Sequence, residues 1–431
     1  MLRRSLGQAY RRVLWANTVS SVGAGVYVSA LPLLAYTITR DPRLIALVSA
    51  AAFVPWLVLS LPAGVIVDRH DRGVLMWRSQ LAEGLMIAMI AVLVLAHVID
   101  IALLILLGFL LGAAEVIFSN AAQSVLPDLV PPAELPKANG NLQVSLTVGE
   151  TFVGPPLGSA LFAIARVLPF GLNALTFFGS AALLTGLPKK DRPVTEHARM
   201  TTQIGEGLRY LGGHRLLRVV AVLLGVSNFA SQMGQATLVL LAVQILHTGT
   251  TGYGLLWTAS AVGAILGGMT NPVLTRRLGM LASLIISLAV SAAATAGIGL
   301  APDMYVAGAL FAVNGYTTTM WNVVTVSLRQ RIVPRELLGR VNSVYRMIGW
   351  GLIPVGAVTG GFVAKEFGLR APYTLAGIVL AVVGVLTLPV LIRAGRTGSS
   401  LAVAAPVVEL AAAQAGAAER DEDRDDQARG C

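Results

Sequence analysis

Apolar runs of about 20 residues or more, the length that crosses a bilayer as a helix, recur along almost the whole chain and are separated by short polar stretches. The runs are continuous rather than alternating. They predict helices and not the strands of a closed barrel, the other structure that satisfies every backbone group in lipid. Twelve such runs are legible, hereafter spans 1 to 12. They cover 13–38, 44–67, 74–97, 101–125, 138–164 and 166–187 in the first half, and 216–245, 251–274, 279–300, 303–327, 341–364 and 371–393 in the second. The first run is of span length and carries Asn17, Tyr27 and Pro32, so it reads as a helix and not as a cleaved leader. Between the halves, 188–215 form a charged cytoplasmic linker in which Ile204, Leu208 and Leu211 recur at helical spacing and predict a short surface helix. From 394 to 431 the chain turns to Ala, Gly, Asp and Arg. That composition cannot bury enough apolar surface to offset its ordering entropy, and it predicts a disordered cytoplasmic tail. The expected organisation is an all-α membrane protein with an N-terminal six-helix bundle over 1–187 and a C-terminal one over 216–393.

The halves repeat at a constant offset of 203 residues, which carries Gly64 onto Gly267, Asp68 onto Asn271 and Gly158 onto Gly361. The same offset lays Leu129-Val130-Pro131 on Ile332-Val333-Pro334 and Asn139 on Asn342. Parallel six-helix repeats related by an axis along the membrane normal are an established way to build a transporter, with the site between the halves at mid-membrane.

Composition agrees with the pattern. With 431 residues, 55% hydrophobic, 13% charged and a mean hydropathy of +0.73, the chain is too apolar for a soluble globular protein. The net charge of +10 changes meaning once its distribution is read. Arg3, Arg4, Arg11 and Arg12 precede span 1, Arg69, Arg72 and Arg78 follow span 2, and the central linker and the loops after spans 8 and 10 are similarly basic. The alternate loops hold few cations. This is the positive-inside asymmetry, which predicts both termini in the cytoplasm and a multi-pass protein of the inner or plasma membrane, with the lipid bilayer and not nucleic acid as its partner. Cys431 is the only cysteine, the five histidines fall in loops or at span ends, and no Gly-Lys dipeptide occurs. Disulfide frameworks, metal sites and a P-loop are thereby excluded, and no cofactor and no enzymatic chemistry are expected.

Between spans 2 and 3 the chain reads Gly64-Val-Ile-Val-Asp68-Arg69-His70-Asp71-Arg72-Gly73. Gly64 suits a close helix crossing, Asp68 can cap a helix or pair with a cation, and the arginines suit the cytoplasmic face. This loop resembles the signature of the major facilitator superfamily, with a degenerate echo at 267–277. The stretch Asn120-Ala-Ala-Gln-Ser-Val-Leu-Pro-Asp-Leu-Val130, continued by Pro131-Pro-Ala-Glu-Leu-Pro-Lys-Ala-Asn139-Gly, is similar to the branch that holds enterobactin exporters and macrolide-efflux proteins. Gly154-Pro155-Pro156-Leu157-Gly158 in span 5 resembles that superfamily's exporter motif, where small residues and a proline let helices approach and pivot. The resemblance implies a secondary transporter, a monomer that exports a small organic molecule (a drug-like compound, siderophore or secondary metabolite) by alternating access and proton antiport. It also implies that Asp68 meets the start of span 11 near 340–346 as a gate. An importer or lysolipid flippase on the same fold is the nearest alternative, a non-transporting receptor or an intramembrane enzyme a more distant one. Two positions depart from the family pattern: Gly108 stands where many proton-coupled exporters have arginine in span 4, and Glu150 where the span 5 motif often has glycine.

An acid at membrane depth costs several kcal/mol unless it is paired, protonated or wetted, so intramembrane acids are functional candidates by default. Three qualify: Glu115 in span 4, Glu150 in span 5 and Glu83 in span 3, the last with Arg78 near enough in sequence to suggest local charge balance. Polar stripes at helical spacing mark candidate cavity walls. They are Asn17 and Tyr27 in span 1, Asn228, Gln232 and Gln235 in span 7, and Asn314, Thr318 and Trp321 in span 10. Such side chains also bind membrane helices to each other, each contributing roughly 1 kcal/mol. Their mixture of amides, hydroxyls and aromatics suits a neutral or cationic amphipathic cargo.

Overall fold

The computed structural model describes residues 7–131, 134–187 and 200–397. Among the described residues the chain is helical throughout, with no strand. Spans 1, 3, 4, 7, 8, 9, 11 and 12 each contain a helix long and apolar enough to cross a membrane. They begin at Gln8, Arg72, Ile101, Arg215, Gly249, Met280, Arg335 and Ala371 respectively. The remaining four are exceptions with physical causes. Span 6 is short (Leu168–Leu184) and span 10 (Met304–Ile332) is the polar one. Spans 2 and 5 are broken by proline.

Span 2 departs from the continuous helix that its hydropathy predicts. It consists of Pro42–Ala51, Val54–Val58 and Ser60–Arg69. Pro55 cannot donate to the carbonyl of Ala51, nor Pro62 to that of Val58, and those are the residues at which the first two segments end. Span 5 runs as an α-helix over Leu135–Leu146, widens into a π-helical segment at Thr147–Val153, and resumes as Gly154–Ile164. Pro155 supplies no N–H to Thr151, which releases the turn in which the wider coil forms. Span 7 also ends in a π-helical turn, Leu241–Ile245. The surface helix of the linker is Met200–Gly213. It lies on span 11, where Glu206 pairs with Arg340, and Tyr210 Oη donates 3.2 Å to the carbonyl of Ile332. The rest of the linker, 188–199, and the tail beyond 397 lie outside the described residues.

Spans 1 to 6 pack mainly on one another, as do spans 7 to 12. Span 7 also touches spans 1 and 2, but the two sets meet chiefly in two related places: span 2 against span 11, and span 5 against span 8. Both contacts are built on glycine. A methyl group on Gly361 would stand 2.6 Å from Ala46 Cβ, and one on Gly254 2.7 Å from Ser159 Cβ. At the end of the bundle away from the termini, one apolar cluster joins both halves, with Leu31, Leu34 and Val48 on one side and Leu241, Tyr253 and Leu256 on the other. At the end that carries the termini the core separates into clusters that each belong to a single half. The halves are sealed together at one end and parted at the other.

Candidate functional site

Glu83, Glu115 and Glu150 come from spans 3, 4 and 5, yet they form a row inside the first half. Glu115 lies within electrostatic reach of Glu83, and Glu150 of Glu115. Glu83 is the inner end, 2% exposed, and its Oε2 accepts 2.8 Å from Gln80 Nε2. Glu115 is half-buried on span 4. Glu150 sits in the π-helical segment and its side chain is exposed. Arg78 does not balance Glu83. Five residues away, it lies on the opposite, exposed side of span 3 and rests over the Trp77 ring. Among the described residues no cation pairs with any of the three acids.

The wide turn explains where Glu150 points. Gly149 and Gly154 bracket it and press against span 1 at Ser21 and Gly25, which leaves no room for side chains on that face. Gly158 continues the same contact against Val26 and Ser29. The exporter-like Gly154, Pro155 and Gly158 thus serve two ends. They dock span 5 on span 1, and through the missing donor at Pro155 they distort the helix where the acid sits.

The loop motif is a joint between spans. Asp71 caps span 3, its Oδ1 accepting 2.8 Å from the Val74 N–H. Arg72 donates 2.7 Å to the carbonyl of Ser124 and pairs at 3.0 Å with Asp128, tying the start of span 3 to the end of span 4. Asp128 is a partner that sequence reasoning missed, although it lies inside the conspicuous 120–130 stretch. Gly64 lies in the last helical segment of span 2, and Arg69 is exposed at its end. The side chains of Asp68 and Arg346, on which the expected gate depends, lie outside the described residues, and Arg340 is engaged by Glu206.

In the second half, Asn228, Gln235, Asn314, Thr318 and Trp321 line one pocket of about 120 Å³ between spans 7, 9, 10 and 12. Gln232, on the edge of the same stripe, does not line it. Asn228 reaches past the pocket to donate 2.9 Å to the carbonyl of Gly349 in span 11. In the first half, Asn17 is buried, and Tyr27 turns away from the boundary to meet Phe170 of span 6 edge-on, ring centroids 6.4 Å apart. Sequence reasoning missed the contributions of Ser287, Ser291 and Thr295 in span 9 and Tyr373 in span 12 to the pocket. In span 9 Ser283, Ser287, Ser291 and Thr295 recur at four-residue spacing, a polar stripe that could have been read, whereas Tyr373 stands in a mostly apolar stretch of span 12.

A family profile described as transmembrane secretion effectors, of the major facilitator superfamily, matches residues 5–417. The chain belongs to that family. This major facilitator is therefore a multi-pass membrane transporter of small molecules and not an enzyme. It is 24% identical to the multidrug efflux pump Tap of Mycolicibacterium fortuitum, over 87% of this chain and 93% of that protein. It is 25% identical to the enterobactin exporter EntS of Shigella boydii serotype 4, over 90% of this chain and 93% of that protein. Its fold is that of the nucleoside transporter NupG, with a TM-score of 0.72 at 12% identity over 89% of this chain and 99% of that one.

Proposed function

We propose that this major facilitator is an exporter in the cytoplasmic membrane that exchanges protons for a small, amphipathic organic molecule. The observation that carries the reading is the row of three acids without a paired cation, ending at Glu150 on a distorted, open turn. When the cavity is wet, such an acid can release its proton. When the halves close over it, a bare charge would cost several kcal/mol, so the site closes either protonated or with cargo in place. That mutual exclusion is what antiport requires. Export is supported by relatives named as an efflux pump and a siderophore exporter and by the motif at 154–158. The basic loops support an orientation with both termini in the cytoplasm. The parted end then faces inward, and this is the state that accepts cargo from the cell.

The reading is tested in inside-out membrane vesicles with an acidic lumen. A panel of drug-like fluorophores without basic groups, neutral coumarin derivatives and their glycosides among them, should accumulate only in vesicles that hold the protein, and nigericin should abolish the accumulation. Gradient-independent equilibration alone would replace antiport with facilitated diffusion.

A further inference from the structure

The two halves share one architecture but not one chemistry. The 203-residue offset that relates them places Thr318 where the first half has Glu115, and Ile353 where it has Glu150. Of the positions that correspond to the three acids, Ile286, Thr318 and Ile353, Thr318 lines the pocket between spans 7, 9, 10 and 12, and that pocket has no charged side chain among its walls. Its mouth is made by Ser231 of span 7 and Thr318 and Asn322 of span 10, all exposed. Span 7 itself reaches the first half, Ala236 packing with Ala46 and Ala50 of span 2, so Ser231, five residues before Ala236, opens beside the boundary between the halves. Its floor is aromatic and dry, with Phe311, Trp321 and Tyr373 at 9%, 7% and 3% exposure.

Two floor groups are unsatisfied. Among the described residues, Tyr373 Oη and Trp321 Nε1 are buried donors with no partner, although buried polar groups are paired as a rule. Nearby hydroxyls and amides are held in place rather than loose. Asn314 Nδ2 donates 2.8 Å to Thr295 Oγ1, its Oδ1 accepts from Thr318, and Gln235 Nε2 donates 2.8 Å to Ser231 Oγ. The result is a pre-positioned set of groups that both donate and accept, over an aromatic base. A charged ligand would find no countercharge here and would lose its hydration. A purely apolar one would leave the polar walls unpaired. A neutral ring carrying several hydroxyls meets both demands, since its hydroxyls saturate the walls and its C–H face lies on the aromatics.

Resting on the exporter reading above, we infer that this pocket is the cargo-recognition subsite and that it takes a neutral, polyhydroxylated ring, such as a sugar or cyclitol moiety of an amphipathic molecule. Cargo recognition then belongs to the second half and proton handling to the first, so each can be altered without the other.

The test uses the full chain in lipid nanodiscs, without any gradient. Equilibrium dialysis compares 4-methylumbelliferyl β-D-glucoside with 7-methoxy-4-methylcoumarin, which keeps the aromatic part and lacks the sugar, each corrected with empty nanodiscs. The glucoside should bind saturably and about 10-fold or more tighter than the methoxy compound, the discrimination that a few hydroxyl contacts supply. Tyr373→Phe removes only an unpartnered hydroxyl, so the melting temperature should hold or rise while glucoside binding weakens by about 3- to 10-fold. Asn314→Leu should erase the preference between the two probes. Lack of saturable glucoside binding, equal binding of both probes, or glucoside binding unchanged in folded Tyr373→Phe protein would each overturn the inference. Because binding here needs no proton gradient, failure of this test leaves gradient-driven dye uptake unaffected. Failure of dye uptake with glucoside binding intact would strike the exporter reading alone.

Discussion

Trp56 of span 2 and Trp350 of span 11 meet across the boundary between the halves, their ring centroids 4.1 Å apart and their planes tilted by 49°. On the sealed side of this pair the helices approach closely through small residues, with Ala46 and Ala50 against Ala236 and Ala357. Further out, Gly361 lies on Arg43 and Ala46. The tryptophans therefore mark the inner limit of the seal, and the aromatic pair adds about 0.5–1.5 kcal/mol to it.

A side chain at position 361 should pry that seal open. Gly361→Val would place its Cβ 2.6 Å from that of Ala46, closer than packed atoms tolerate, and neither helix can yield without parting the halves. Spin labels at Arg40 and Lys365, in a Cys431→Ser background, should show a longer and broader distance distribution in the variant, with transport reduced at least about 10-fold. An unchanged distribution would mean that the seal does not depend on this crossing.

The start of span 2 adds a smaller, pH-dependent term. Asp41 caps the segment Pro42–Ala51, accepting 2.9 Å from the Arg43 N–H, and pairs with the Arg43 side chain at 2.8 Å. Those hydrogen bonds hold its carboxyl down at about 2. A depressed carboxylate stabilises the folded state fully above its unfolded value near 3.8, and the contribution disappears as pH falls from there to about 2. Asp41→Ala should cost roughly 0.5–2 kcal/mol, the usual range for a lost cap. The deficit in thermal unfolding should be present at pH 7 and should vanish toward pH 2.

Arg72 and Asp128 make a half-buried joint that is harder to dispense with. Asp128→Asn keeps the shape and one amide acceptor but removes the charge that faces the guanidinium. Losing a charge-assisted bond in a partly buried place should cost about 1.5–3 kcal/mol, visible as a lower melting temperature in detergent. Charge reversal at both positions should recover part of the loss but not all of it, because an acid at 72 cannot donate to Ser124.

Much of this was legible in the chain, and what was not has definite causes. Hydropathy averages over some 20 residues, so it found the spans and was blind to single missing donors at Pro55, Pro62 and Pro155. Proline alone does not locate them, since Pro32, Pro127, Pro272, Pro354 and Pro389 also free a carbonyl four residues earlier yet sit inside continuous helices. A helical stripe identifies a face but not the neighbour it meets. Asn228 and Gln235 were found to line a pocket, while Tyr27, on an equally plausible face, turned to Phe170. The row formed by Glu83, Glu115 and Glu150 could not be read at all, because it depends on how three helices rotate against one another.

The π-helical turn offers a way to separate folding from function. Pro155→Ala restores an N–H that can bond Thr151, favouring a regular helix and turning Glu150 away from its present direction. Expression and melting temperature should hold or rise, while gradient-driven transport falls at least about 10-fold. Equal transport by a stabilised Pro155→Ala protein would show that the distortion is structural only.

The sharpest prediction concerns the acids themselves. Glu115→Gln and Glu150→Gln preserve size and most hydrogen bonding but cannot titrate. If either acid carries the proton, its variant should bind cargo normally and exchange it in counterflow, where no net proton movement is needed, yet fail to accumulate it against a pH gradient. Loss of binding together with transport would place that residue at the cargo site, contrary to the division of the halves proposed above. Loss of folded protein would assign it to packing, which is less expected for Glu150, since its side chain is exposed. If both single variants pump at the parental rate with a pH gradient as the only driving force, neither is the coupling group. Glu83, bound to Gln80 at the inner end of the row, is then the remaining acid, and Glu83→Gln decides between proton coupling and an uncoupled carrier.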